Sequence, residues 1–310
     1  MTDLEAFTEA VRDRHAEIDP LLPGPAELPE GEPLIVAGAV GVPRRIRLAA
    51  DSVDLAWGAE DQFRLPHLVA GPEPARALDR LLGAWREHIA RCAPGEDSAA
   101  TLTWPSRDVE AVPALLRRGF QPHAVASVRL RGWPGPRYRA RNVVVRTACP
   151  GDLDAVVALW HAEIRYDAFF GQVGERRGIA RRLRAEMAQA LAVPDPWVWL
   201  AELDGAPAAL AYVQDPTWTG PMVRAEPTAY LTCMSVAPSL RGRGVGAALA
   251  GHVHRRLDAV GVEATLLHYC VANPVSGTFW ARMGYRALWT SWQVSPATAI
   301  RPVSAAAASS

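Results

Sequence analysis

The sequence predicts an α/β (α+β) fold in two successive halves, on three observations. Strand-like and helix-like apolar periods alternate along most of the 310 residues, which points to sheet packed against helices. A strand pattern at 229–236 runs through Pro238 into a glycine-rich loop and straight into a helix. An eleven-residue interval also recurs. Asp108 to Gly119 and Asn273 to Gly284 each follow a short strand, carry a helix and end in Gly-aromatic (Gly119-Phe120, Gly284-Tyr285).

The first half opens with a helix over 3–18, where Leu4, Phe7, Val11 and Ile18 recur at near-helical spacing. A Pro-rich linker from Pro20 to Pro33 follows. Residues 34–42, 45–48 and 53–56 read as strands between Gly, Pro and Asp turns. A helix at 76–89 gathers Leu78, Leu81, Leu82, Trp85 and Ile89 on one side. Then come a strand at 99–104, a short helix at 109–118 and a strand at 125–130. A Pro/Gly/Arg linker, 131–141, leads to the second half. Its elements are a strand at 143–146, helices at 152–165 and 179–191, and a hairpin of 197–203 and 208–213 around Asp204-Gly205. The central strand, loop and helix follow, then a strand at 265–271, a helix at 274–283 and a strand at 287–294. The expected domains are 1–135 and 136–303, with 304–310 a disordered Ala/Ser tail.

Composition is globular, 49% hydrophobic and 21% charged. The 33 basic residues balance the 33 acidic ones, which argues against a nucleic-acid or membrane surface as partner. Arginines at 176–177 and 181–184 alternate with Glu175 and Glu186, as on a solvated helix face. Cys92, Cys149, Cys233 and Cys270 form no C-x-x-C pair, and His252 and His254 belong to no metal motif. No metal is expected. The polar N-terminus lacks a signal-peptide pattern, so a reducing cytoplasm is the expected location.

The most informative stretch runs from Thr228 to Ala250. Ala229 to Val236 holds five apolar residues in eight, broken only by Thr232 and Ser235, apart from Tyr230. It reads as a strand buried on both faces. Pro238 lacks a backbone donor and stops the ladder. Arg241, Gly242, Arg243, Gly244, Val245 and Gly246 then open a helix that continues through Leu249, Val253 and Leu257. Alternate glycines uncover backbone N–H groups at a helix N-terminus, which is donor-rich and partly positive, and two arginines add charge. A pyrophosphate suits such a place. A P-loop needs Gly-Lys-Ser/Thr, and the chain has no lysine. Gly242-Arg-Gly244-Val-Gly246-Ala247 fits the dinucleotide pattern G-x-G-x-x-A, but the ribose-binding acid belongs at the end of the next strand. Glu263 has the distance and lies before that strand. A plain strand-to-helix turn gains nothing from glycines that cost helix stability.

The segment Val236-Ala-Pro238-Ser-Leu-Arg241-Gly242-Arg-Gly244-Val-Gly246 closely resembles the R-x-x-G-x-G signature, with its preceding V-x-P, of the Gcn5-related N-acetyltransferases (GNAT). The resemblance covers roughly 142–294. It implies a mixed, mostly antiparallel sheet flanked by helices, in which two parallel central strands, 230–236 and 265–271, splay around an acyl thioester. It implies acetyl-CoA as cosubstrate. Cofactor contacts are implied for the backbone of Met234, Ser235 and Val236, including an oxyanion-type contact to the thioester carbonyl. They are implied also for Arg241, Gly242, Arg243, Gly244, Val245 and Gly246, and for Asn273 on the pantetheine arm, although Asn273 before Pro274 equally fits a helix cap. Phe279 and Trp280 would border the cofactor. The family tyrosine that protonates the departing thiolate falls at Trp280, whose indole cannot release its proton. A thiol of pKa about 8.5 leaves tolerably without it, and Ser276, Cys270 or a water could serve.

The first half resembles a degenerate second copy, as in tandem GNAT proteins of mycothiol-synthase-like architecture. In place of the loop it has Gly71-Pro72-Glu73-Pro74, with an acid and two prolines where a pyrophosphate needs donors. Glu226, Asp215, His268 and Tyr269 lie near expected strand ends as candidate bases, and each equally fits a surface or hairpin position. Tyr166, Phe169, Phe170 and Trp218 fall where the family's acceptor-site loops lie; core packing explains Phe169 and Phe170 as well. The expectation is an N-acetyltransferase acting on the amine of a small molecule or peptide, as a monomer or homodimer. Ser276, Tyr269 and Glu226 are its candidate catalytic residues. The alternative is a CoA-binding sensor or scaffold that has lost its chemistry.

Overall fold

The structure is a computed structural model that describes residues 2–135, 142–171, 174, 176–214 and 222–302. Its first half runs α1 (Thr2–Ile18), β1 (Leu34–Val36), β2 (Ala39–Gly41), β3 (Arg44–Arg47), β4 (Asp61–Arg64), β5 (His67–Val69), α2 (Pro74–Arg91), β6 (Ser98–Pro105), α3 (Val112–Arg117) and β7 (Gln121–Leu130). The second half runs β8 (Val143–Thr147), α4 (Leu153–Asp167), α5 (Ile179–Leu191), β9 (Val198–Leu203), β10 (Ala206–Val213), β11 (Thr228–Val236), α6 (Val245–Ala259), β12 (Ala264–Cys270), α7 (Ser276–Arg282) and β13 (Arg286–Val294). The helices form where the apolar stripe demands them. On α2, Ala77, Leu78, Leu81, Leu82, Trp85 and Ile89 are all buried, and Pro74 opens the helix where its missing N–H costs nothing.

Local chemistry overrides the strand pattern in three places. Residues 34–42 form two strands because Gly38, at φ +81°, turns the chain back on itself. Residues 53–56 are a 3-10 turn, not a strand: the Ser52 hydroxyl accepts from the Asp54 N–H, and this cap outweighs the β preference of Val53. β4 and β5 occupy a stretch whose sequence pattern gives no strand.

Ten strands form one mixed sheet in the order β3-β4-β6-β13-β7-β12-β11-β10-β9-β8, and β1, β2 and β5 form a smaller one. The chain's last strand, β13, lies between β6 and β7, while β7 lies between β13 and β12. Each half therefore receives a strand from the other. Outward from the β13–β7 pair the two sides match: β6 then β4 on one, β12 then β11 on the other. The β4–β6 and β11–β12 pairs are parallel, and the pairs around β7 and β13 are antiparallel. The repeated eleven-residue interval is thus a spatial repeat, with β6–α3–β7 answering β12–α7–β13.

Packing follows the exchange. Trp292, Val294, Ala297 and Ile300, from the end of the chain, are buried with Leu81, Trp85 and Phe120 of the first half. Arg129 on β7 is 2% exposed and grips both carboxylate oxygens of Asp258 on α6 at 2.9 Å. Asp19, just past α1, pairs with Arg286 of β13. Removing one partner of a buried pair strands the other charge, at a cost of about 3–5 kcal/mol.

Candidate acyl-transfer site

β11 and β12 pair only through Thr228–Ala264, Ala229–Thr265 and Tyr230–Leu266. Beyond Tyr230 they part, although β11 continues to Val236 and β12 to Cys270. The parting starts beside a bulge: Val213 faces Leu231 and Tyr212 faces Cys233, so Thr232 is an extra residue. A bulge reverses side-chain alternation. Ala229 and Leu231 face the α6 side before it, and Met234 and Val236 face that side after it. Ser235 turns instead to α4, where its hydroxyl donates to the Leu159 carbonyl at 2.6 Å. Side chains along β11 accordingly alternate between buried and half-buried, not buried on both faces as the pattern suggested. The Ala237 N–H donates to the Ala208 carbonyl (2.8 Å). Strand alternation then turns the Ser235 backbone toward β10 and leaves the backbone groups of Met234 and Val236 at the open edge. Arg241 Nε donates to the Val236 carbonyl there at 3.4 Å.

α6 begins at the mouth of this cleft. Gly242 and Gly244 adopt φ of +79° and +82°, and no side chain caps the helix, so its first N–H groups have no intrahelical acceptor. Gly246 serves packing. It has no positive φ, but a Cβ there would meet Val236 Cγ2 at 3.1 Å. Arg243 is exposed and Val245 buried. Arg241 turns inward, its guanidinium 3.8 Å above the Tyr166 ring, which Phe170 meets edge-on at 5.3 Å.

Behind the parted strands, on the α4 face of the sheet, lies a cavity of about 900 Å3. Its floor crosses both halves, from Tyr230 and His268 to Ser291, Thr101 and Arg64, and Glu163 and Asp167 of α4 with Glu186 of α5 stand in its wall. Burial pushes Glu163 up to about 8, helped by the Asp167 charge and opposed by Arg241. Asp167 and Glu186 are also raised, by burial first. None of the three forms an ion pair among the described residues. The Tyr230 hydroxyl lies 2.7 Å from His268 Nδ1. Burial lowers His268 to about 4 and raises Tyr230 to about 12, so both are neutral near pH 7. The His268 ring faces the open cavity, reached by water yet enclosed by protein.

Some of the sequence-derived candidates meet here. Tyr269 lines the cavity and packs on the first turn of α7, where a Cβ at Gly277 would meet its Cε2 at 3.2 Å. Ser276 is half-buried in the same turn. Asn273 caps α7, its Oδ1 accepting from the Val275 and Ser276 N–H groups at 3.2 and 3.3 Å, while its Nδ2 donates to Asp167 at 2.9 Å. Trp280 is 8% exposed and packs between Phe279 (4.9 Å) and Tyr285 (5.1 Å). Glu226 is exposed ahead of β11, at the paired end of the strands and roughly 30 Å of chain from the cleft mouth. It does not line the cavity. Phe169 is 84% exposed, which rules out core packing for it. Asp215 and Trp218 fall outside the described residues. In the first half, beyond the paired part of β4 and β6, His67 stacks on Trp104 at 5.4 Å, and both rings border the same cavity. Sequence reasoning missed Glu163 and Asp167. The available signal was their position, continuing the buried stripe of Val156 and Trp160 at helical spacing with acids where apolar residues were due.

The uncapped start of α6 on one side of the parted strands and the cavity on the α4 side suit a group-transfer protein. A family model described as "Acetyltransferase (GNAT) family" matches residues 162–285, from α4 to the residue before β13. The matched stretch holds the parted strands, the glycine loop and α7, and over it the chain is similar to a GNAT acetyltransferase domain. A GCN5-related N-acetyltransferase from Sphaerobacter thermophilus has a similar fold over 86% of this chain and 78% of its own, at 16% identity and a TM-score of 0.55. More distant are a GNAT-family acetyltransferase from Colwellia psychrerythraea (13% identity, 74% and 76% covered, TM-score 0.49) and a tandem GNAT protein from the clavulanic acid biosynthesis pathway (16% identity, 78% and 76% covered, TM-score 0.46). No curated protein matches the chain. No helix among the described residues is long and apolar enough to cross a membrane.

Proposed function

We propose that this protein is an N-acetyltransferase that acetylates the amine of a small molecule or short peptide from acetyl-CoA, with Glu163 as the base. The observation that carries this is Glu163 itself: a cavity-facing carboxyl beside the parted strands, held near 8 where a base working at neutral pH is most useful. The residues present fit the donor. The uncapped N–H groups of 242–246 would hold the pyrophosphate, and the open backbone edge of Met234 and Val236 the pantetheine. Bound there, acetyl-CoA supplies an activated acyl carbon. Asp167 and Glu186 favour a protonated amine on arrival, and Glu163 then takes its proton at Oε1 or Oε2. Tyr269, Asn273 and Ser276 are polar side chains at the start of α7. The chain is read as two tandem units, 1–135 and 136–303, the first of which has Gly71-Pro72-Glu73-Pro74 in place of the glycine loop and so lacks the donors a pyrophosphate needs.

The burial of Trp280 favours a second reading, a CoA-binding sensor, since that side chain supplies no acid. Incubating the protein with acetyl-CoA and a broad amine panel, with released thiol and acetylated product as readouts, separates the two. Product with at least one amine supports the enzyme. Tight CoA binding without product on any amine supports the sensor.

A further inference from the structure

We propose that the acceptor is elongated and bipolar, with its amine at the α4 end of the cavity and a carboxylate or phosphate held by Arg64 at the β4 end. This rests on the acetyl-transfer reading for its amine end and goes beyond it at the other. Among the described residues two guanidinium groups line the cavity. Arg14 is committed to Asp108 at 2.7 Å, whereas Arg64 donates only to the Gln62 amide oxygen, at 2.8 Å, and has no carboxylate partner among the described residues. Gln62 and Arg64 stand two apart on β4 and so share a strand face. Thr101 and Thr103 of the neighbouring β6 line the cavity beside them. The histidines of the wall do not supply positive charge, because burial lowers His15, His67, His123 and His268. The cationic end is therefore Arg64, and a guanidinium with a free edge favours a bidentate anion.

The opposite end is acidic: Glu163, Asp167 and Glu186 form no ion pair among the described residues, although Asp167 accepts from Asn273. β4 and β11 are five strand spacings apart, roughly 24 Å along the sheet. The two side chains close part of that span, leaving on the order of 14 Å, about four extended residues at ~3.4 Å each. A cavity of about 900 Å3 drawn out over roughly 20 Å has the cross-section of an extended chain. Strand exchange makes such a site possible, because the floor between its ends is β13 and β7.

The test compares tetraglycine, free at both ends, with its C-terminal amide, and adds an aminoalkyl phosphate of equal length. The expected result is a KM ten- to a hundredfold lower for the anion-ended acceptors, the ratio for a charged hydrogen bond. In Arg64→Gln that advantage disappears, and in Arg64→Lys it survives in part. Calorimetric titration of donor-free protein with the same compounds reads binding apart from transfer. Equal binding and equal KM of acid and amide would overturn the bipolar site even if both are acetylated. Anion-dependent binding without product would keep the site and overturn acetyl transfer. An undiminished preference in Arg64→Gln would overturn the role of Arg64. Preference for phosphate over carboxylate, or the reverse, supports the site and identifies the anion.

Discussion

Replacing Glu163 by Gln keeps the size of the side chain and removes its charge. In the folded protein burial raises its pKa from 4.5 to about 8, so the native state holds this proton more tightly than the unfolded chain. The penalty is absent below about pH 4.5, accumulates as pH rises toward 8 and is constant above that. At 1.36 kcal/mol per tenfold, the ceiling is about 5 kcal/mol, and water in the cavity lowers it. Glu163→Gln has no such term. The variant should therefore match the wild type in urea unfolding at pH 5 and exceed it by about 2–4 kcal/mol at pH 9. Its acetylation rate should fall about 10²–10⁴-fold, as expected for a lost general base. The wild-type kcat/KM should rise with pH to a plateau with an inflection near 8, measured on an amine that titrates well above that. Parallel stability curves for the two proteins would refute the burial argument, and full activity in the variant would refute the catalytic role.

Three further outcomes are expected. Gly242→Ala has open space for its Cβ, so only its φ of +79° is penalised, by about 1–2 kcal/mol; CoA affinity by calorimetry should fall well beyond what that loss explains. Trp280→Tyr should lower unfolding stability by about 1–3 kcal/mol without raising turnover, because Trp280 is a packed core residue; a faster variant of equal stability would show a missing acid instead. Fragments 1–135 and 136–310 should each be unstable alone and should associate when coexpressed, because β7 and β13 are exchanged; a stable, monomeric 136–310 fragment would contradict this.

Much of the site could be read from the sequence because its determinants are local. Pro238, the positive-φ glycines and the strand-to-helix turn lie within a dozen residues, and the backbone there has little choice. Ser52 shows the limit at the same scale: its cap overrode a β-prone stretch that periodicity alone called a strand. The sequence also carried the eleven-residue echo, and with it the two-part plan. Only the tertiary structure decided how the parts join. β7 and β13 read as ordinary closing strands, and no local pattern tells which neighbour a strand will choose, because the competing pairings bury similar surface. Glu163 belongs to the same class. On the helix it is one acid beside an apolar stripe; its raised pKa exists only once β11, Asp167 and the cavity wall surround it. The sequence by itself indicated most of the elements, the glycine loop and the resemblance to the acetyltransferase family. The fold alone decided that a cavity spans both halves, with half-buried acids in one wall and, elsewhere along it, an arginine without a carboxylate partner among the described residues, because desolvation and charge placement depend on every chain segment packed around a group.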